Sequence, residues 1–266
     1  MYDYHLHSTN SPDGRLSIEE VCELAIQKGF KEIAFTEHLD YDCPGHIDLL
    51  LDYEKYSEEI DRAREKYFGA LNIVKGLEMG LQPQVMERNR DFVRKNPFDF
   101  IIGSVHHIDG LQLFNGDFCQ GKRREEAYRS YLQEVDRLVE TFADFHVLGH
   151  MDVIRRYPGF DDRTISTREY ADLIDSILKK LIRSHRGIEV NSSGFRFKLA
   201  DTLPTLDVVT RYRELGGEII TVGSDAHRTD AVGYKIEEAY QVLKTSGFNY
   251  VCLFRNGAPI KVPLPV

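Results

Sequence analysis

The sequence predicts an α/β protein, a TIM-barrel-like (β/α) barrel spanning residues 1–266 as a single domain. Three observations carry this reading. Short apolar segments alternate with amphipathic ones along the whole chain, as in parallel sheets wrapped by helices. Seven of the apolar segments end in polar residues suited to chemistry, and barrels collect the carboxyl ends of their strands at one functional face. The 266 residues suffice for one large α/β core, with no linker, repeat or low-complexity stretch to divide them.

The strands are expected at 2–5, 32–36, 72–77, 98–103, 145–149, 187–191 and 218–223, with a weaker eighth at 250–254. They are short and rich in Ile, Val, Phe or Tyr, as buried parallel strands should be. The first helix starts at Ser17, where Glu20 completes a capping box. Ile18, Val21, Cys22 and Ala25 then share one face until Gly29 ends the helix. Further helices are expected at 53–67, 84–95, 124–142, 166–184, 205–215 and 235–244. Pro204 suits the first turn of the sixth of these seven, and Gly216-Gly217 suits its end. The polar stretch 109–124 is the longest irregular piece and reads as a lid. A doubly wound open sheet is the competing architecture, but its site draws on fewer strand ends.

Composition narrows the partners. The chain is 42% hydrophobic and 29% charged, ordinary for a globular protein. Its net charge of -9 speaks against nucleic acid, which usually meets a basic stripe, but not against a small anionic substrate. No apolar run is long enough for a bilayer, so no membrane partner is expected. Residues 1–5 already read as a ligand-bearing strand, leaving no room for a signal peptide. Cys22, Cys43, Cys119 and Cys252 show no paired zinc spacing, and a reduced, cytoplasmic setting is expected.

Nine good metal ligands follow the predicted strands: His5, His7, Asp13, His38, Glu78, His106, His150, Asp225 and His227. His5-x-His7 lets both imidazoles face one side of an extended chain. Imidazole and carboxylate donors without cysteine suit zinc, manganese or iron. Taken singly, each residue has a plainer role. A lone histidine is usually exposed or hydrogen-bonded, the reading assigned to His46, His146 and His185. Asp225 alone would serve as a helix cap, and Asp152 as a partner that orients a ligand imidazole. Nine such residues at strand ends together point to a multinuclear metal centre.

These motifs resemble those of the polymerase and histidinol phosphatase (PHP) family. The resemblance rests on His5-Leu6-His7-Ser8 with Asp13-Gly14, Thr36-Glu37-His38, Gly76-Leu77-Glu78, Ser104-Val105-His106, Gly149-His150 and Ser224-Asp225-Ala226-His227. It runs from residue 5 to residue 227 in the family's order. It implies a distorted (β/α)7 barrel with three divalent transition metals. One would be held by His5, His7, Glu78 and Asp225, a second by Glu78, His106 and His150, and a third by Asp13, His38 and His227. Three such ions against three carboxylates leave about three positive charges locally, a cationic pocket inside an acidic protein.

Asp13 and the run Gly103-Ser104-Val105-His106-His107 are similar to the histidinol-phosphatase branch, although His107 replaces a more usual Phe. The implied reaction is hydrolysis of L-histidinol phosphate, a step of histidine biosynthesis, by metal-activated water. Glu78, His106, His150 and Asp225 would be its catalytic core. Arg196 resembles the family's sixth-strand motif and offers a fork for phosphate. Arg155 and Arg156 are expected to join it, or else to be solvated charges at a helix start. His107 either lines the pocket or is structural, and Lys122-Arg123-Arg124 reads as an exposed face. The rivals are a phosphoesterase of the same family acting on a nucleotide, oligonucleotide or phosphotyrosine, and a binding module that keeps metals for structure.

Overall fold

The computed structural model describes residues 1–45 and 48–265. The elements run β1 (Tyr2–Leu6), α1 (Ile18–Gln27), β2 (Glu32–Leu39), α2 (Tyr53–Lys66), β3 (Asn72–Gly80), α3 (Met86–Lys95) and β4 (Phe100–Ser104). Two short strands follow, β5 (His107–Ile108) and β6 (Leu111–Gln112), then α4 (Arg124–Thr141), β7 (Val147–Leu148) and α5 (Ala171–Arg183). The chain continues through β8 (Gly187–Asn191), the single turn α6 (Ser193–Arg196), α7 (Leu206–Glu214), β9 (Ile220–Gly223) and α8 (Ile236–Thr245). It ends in β10 (Tyr250–Arg255) and β11 (Ala258–Pro263).

Seven strands form one parallel sheet in the order β1-β2-β3-β4-β7-β8-β9. The sheet curls until its edges meet at the upper rim. Leu6 bridges Ala226 in parallel, Asp225 N–H donates to His5 O at 2.8 Å, and His7 N–H donates to Ala226 O at 2.9 Å. The result is a nearly closed barrel whose last seam lies where the end of β1 carries His5 and the loops after β1 and β9 carry His7 and Asp225. Helices cover the outside. In α1, Ser17 and Glu20 form the expected capping box, and Ile18, Val21, Cys22 and Ala25 are its buried face.

The predicted eighth strand is corrected. Residues 250–254 do form a strand, but it pairs antiparallel with β11 rather than joining the barrel. Asn256 and Gly257, at φ 50 and 78, make a two-residue turn of the kind that matches strand twist. The hairpin then plugs the amino-terminal end of the barrel. Leu253 and Phe254 pack with Tyr4, Ala34, Val74, Phe100, Ile102 and Val147, and Phe100 and Phe254 lie 4.7 Å apart by ring centroids. Arg255 pairs with buried Glu32 at the start of β2, pinning the plug. Each large apolar side chain so buried contributes about 1.5–3 kcal/mol.

Other expectations shift at their ends. The helix expected at 166–184 begins at Ala171. Ser166 Oγ accepts from Glu169 N–H, and Thr167 is tied to Asp207, so side chains hold this stretch out of the helix. Pro204 falls just before the N-cap Thr205 of α7, not in its first turn. The stretch 109–124 includes β6 and a 3-10 turn (Asp117–Cys119), and Gln112 and Phe114 from it line the main cavity. Among the described residues, no helix is long and apolar enough to cross a membrane.

His146 ties the lower barrel together. Its Nδ1 accepts from Ile101 N–H at 2.8 Å, and burial lowers its pKa to about 4. The folded state therefore favours neutral imidazole. That stability is complete above the unfolded value near 6.5 and is lost as pH falls toward 4. Denaturant unfolding of the protein and its His146→Gln variant should show the difference between them shrinking below pH 6.5, by about 1.4 kcal/mol per pH unit. A difference constant from pH 7 to pH 5 would contradict this assignment.

Candidate metal centre

A β-bulge aims the first ligand. Asp3 pairs with Ile33 but Leu6 with Phe35, so β1 carries one extra residue between them. Tyr4 accordingly packs into the floor cluster while His5 reaches the site above it, a common use of bulges beside functional sites. Gly223 faces His5 from β9. A Cβ there would stand 2.3 Å from His5 Cβ and 2.5 Å from Glu189 Oε1, so only glycine leaves the imidazole its place.

Glu78 lies at the centre, 1% exposed, paired in register with His38 across β2 and β3. His5 Nε2 and His7 Nε2 lie 3.1 and 3.4 Å from its Oε2. His150 Nε2 and His106 Nε2 lie 2.9 and 3.3 Å from its Oε1, which also accepts from Ser104 Oγ at 2.7 Å. Asp225 Oδ1 stands 3.8 Å from His5 Nε2 and 3.7 Å from His7 Nε2. Nearer the mouth, Asp13 Oδ2 lies 3.2 Å from His227 Nε2 and 3.7 Å from His38 Nε2. All nine predicted side chains thus converge.

Burial alone would raise the Glu78 pKa, but His5, His38 and His106 hold it well below the carboxylate range. Burial likewise disfavours imidazolium, yet Glu189 and Glu78 raise His5, and Asp40 and Glu78 raise His106. His38 rises to about 9, with burial outweighed by Glu78 and Asp40. His7 goes the other way. Burial and then its stacked neighbours His227 and His38 push it well down.

A cation suits this arrangement. His5 Nε2, His7 Nε2 and Glu78 Oε2 are buried without a hydrogen-bond partner, although they point at one another. Ligand atoms of His5, His7 and Asp225, of His5, Glu78 and His150, and of His7, His38 and His227 form groups within 4.8 Å. Unpaired buried donors and acceptors of this kind are costly unless something binds them. Nitrogen and carboxylate donors favour zinc, iron or manganese.

Above the cluster opens a cavity of about 1030 Å³. Arg156, Tyr157, Arg196 and Phe197 line it, as do His107, Gln112 and Phe114. Arg156 pairs with the Asp225 carboxylate and lies 4.2 Å from the Phe197 ring centroid. Arg196 donates to Ser224 O at 3.0 Å and Asp225 O at 2.8 Å, bracing the Asp225 loop with two of its five N–H groups. Arg155 is not in the cavity wall. It is 4% exposed and spent on Asp152, Arg163 O and Thr202 O. Asp152 therefore holds Arg155 and orients no ligand imidazole. His107 is buried in the cavity wall. Arg123 and Arg124 pair with surface glutamates, His185 is exposed, and His46 lies outside the described residues.

Sequence reasoning missed Asp40 and Glu189. Glu189 Oε1 is 2.6 Å from His5 Nδ1, and its Oε2 accepts from His150 N–H at 2.9 Å. Asp40 Oδ1 is 2.9 Å from His106 Nδ1. Their only local signal was alternation. Glu189 sits two residues before Asn191 on β8, and Asp40 two residues after His38 at the end of β2.

Clustered imidazoles and carboxylates at the carboxyl ends of a parallel barrel, under a wall of arginines, define a metal-binding barrel of the hydrolase type. The PHP domain family matches residues 3–193, and the chain belongs to it. The histidinol-phosphatase of Lactococcus lactis is 33% identical over 254 residues, covering 95% of this chain and 93% of that protein. The structure of histidinol phosphate phosphatase from Lactococcus lactis, complexed with zinc, L-histidinol and phosphate, superposes with a TM-score of 0.92. It is 31% identical, and the match covers 98% of both chains. The DNA polymerase/3'-5' exonuclease PolX of Bacillus subtilis is 33% identical over 86% of this chain but only 34% of its own length.

The Gly223 contact yields a test. Gly223→Ala should displace His5 and destabilise the fold by about 1–3 kcal/mol through overpacking. Thermal unfolding with and without added zinc should show the stabilisation by metal much reduced in the variant. Equal stabilisation in both proteins would mean that His5 is not held as described.

Proposed function

We propose that this chain hydrolyses L-histidinol phosphate to L-histidinol and phosphate, with residues 1–266 acting as one domain. The carrying observation is the near full-length match to the Lactococcus lactis protein complexed with zinc, L-histidinol and phosphate, together with nine converging ligand side chains. His5, His7, Glu78 and Asp225 would hold one divalent transition metal, Glu78, His106 and His150 a second, and Asp13, His38 and His227 a third. Zinc, iron and manganese all suit these donors. When bound, such ions supply Lewis acidity toward phosphoryl oxygens and a nucleophilic water at neutral pH.

The chain's own residues do the rest. Glu78 presents each carboxylate oxygen to a different pair of imidazoles, which spaces the first two loci. Arg156 offsets the charge of Asp225 and stays on the cavity wall, where it would face phosphate beside Arg196. Guanidinium forks suit phosphate geometry, and Arg196 keeps three N–H groups for it. Asp13, with its side chain 53% exposed, sets the third locus at the mouth, where substrate enters. Among the described residues, no side chain is placed as a nucleophile. Cys43 lines the cavity, but burial raises its thiol pKa and keeps it protonated.

Turnover assays on L-histidinol phosphate, a dinucleotide and a phosphotyrosine peptide test the reading directly. Selective hydrolysis of L-histidinol phosphate is expected, and preference for the dinucleotide would place the chain with the exonuclease relative instead. Arginine variants separate recognition from folding. Arg196→Ala should lower kcat/KM by about thirtyfold, roughly 2 kcal/mol, and weaken inhibition by inorganic phosphate. Arg155→Ala should instead cost about 3–5 kcal/mol of stability, by leaving Asp152 buried and unpaired, with phosphate inhibition unchanged.

A further inference from the structure

Asp40 has no place among the nine predicted ligands, yet it is fully buried within their cluster. Its Oδ1 lies 2.9 Å from His106 Nδ1, and its Oδ2 lies 3.5 Å from His38 Nδ1. Those two histidines belong to different metal groups in the reading above. Glu78 Oε2 is nearer to His38 Nδ1, at 3.2 Å. Glu78 Oε2 also faces His5 Nε2 and His7 Nε2, whereas Asp40 Oδ2 faces no such competing pair, so Asp40 is the acceptor best placed for this N–H once Glu78 is turned to an ion. Asp40 Oδ2 and His38 Nδ1 are both buried without a hydrogen-bond partner.

A second, independent feature shows that the carboxylate's position is built in. A Cβ at Gly80 would stand 2.0 Å from Asp40 Oδ1 and 2.7 Å from its carboxyl carbon. Gly80 has no positive φ to require glycine, so the missing side chain is what admits Asp40 beneath the imidazoles. Partners on the outer nitrogens of the other ligands are separate groups. Glu189 serves His5, and Ser11, backed by Glu37, serves His7.

We infer that Asp40 is a shared positioning residue: one carboxylate fixes His38 and His106 as Nδ1–H tautomers, turning their Nε2 atoms toward two different ions. Removing a partner of this kind typically costs ten- to a hundredfold in metal affinity. Here one substitution should affect the loci of His38 and His106 together and spare the one assigned to His5, His7, Glu78 and Asp225. The inference rests on the three-ion reading above, and wild-type stoichiometry tests that reading separately.

The experiment uses Asp40→Asn in the full chain. Metal-free protein is titrated with zinc against a competing chelator, and two-bond nitrogen–proton spectra of the zinc-loaded protein report histidine tautomers. The expected result is about ten- to a hundredfold weaker binding in two of three steps, with the remaining step within about threefold of wild type. His38 and His106 should lose a defined Nδ1–H tautomer while His5 keeps its own. Gly80→Ala, which leaves every ionisable group in place, should reproduce both effects. Unchanged tautomers of His38 and His106 in Asp40→Asn would overturn the inference, as would equal weakening of every step. A fourth zinc ion lost only in Asp40→Asn would make Asp40 a ligand and overturn it too.

Discussion

A carboxylate buried among imidazoles is the constraint on which this molecule depends. Glu78 is 1% exposed, and an isolated charge there would cost several kcal/mol. It is tolerable only because His5, His7, His38, His106 and His150 surround it at 2.9–3.4 Å. Most of those imidazoles come from strands far apart in sequence, so the sheet has to curl around Glu78 for all of them to be satisfied together. Cations placed between these groups remove the same penalty more completely, since they meet both the orphaned nitrogens and the carboxylate oxygens.

The surrounding structure reads as accommodation of that cluster. The bulge in β1 turns His5 upward while Tyr4 stays in the floor. Gly223 and Gly80 are small because His5 with Glu189, and Asp40, occupy the space their side chains would take. Ser104 adds a donor to the oxygen of Glu78 that faces His106 and His150. Stability is supplied elsewhere, by the helix-covered outer core and by the hairpin that fills the lower barrel. That separation leaves the upper rim free to carry costly polar groups.

Much of this was legible in the chain because ligands close apolar runs, a local pattern that periodicity exposes. The seven barrel strands and their order of motifs followed from it. Asp40 and Glu189 were not legible, since each acts on a histidine 66 or 184 residues away and neither closes a motif. Arg155 and Arg156 are indistinguishable by sequence. One 3-10 turn sends the first to Asp152 and the second to Asp225. The hairpin signal Asn256-Gly257 was present, but Pro259 and Pro263 disguised the second strand, which tolerates them only because it is an edge.

The central claim is that Glu78 joins two ions and that a third lies apart, near the mouth. Crystals of zinc-loaded protein, measured at the zinc absorption edge, test it most directly. Three anomalous peaks are predicted per chain. Two should flank the Glu78 carboxylate, one beside each oxygen, and the third should lie among Asp13, His38 and His227. A single peak, or a pair of peaks with Glu78 bound to neither, would contradict the account.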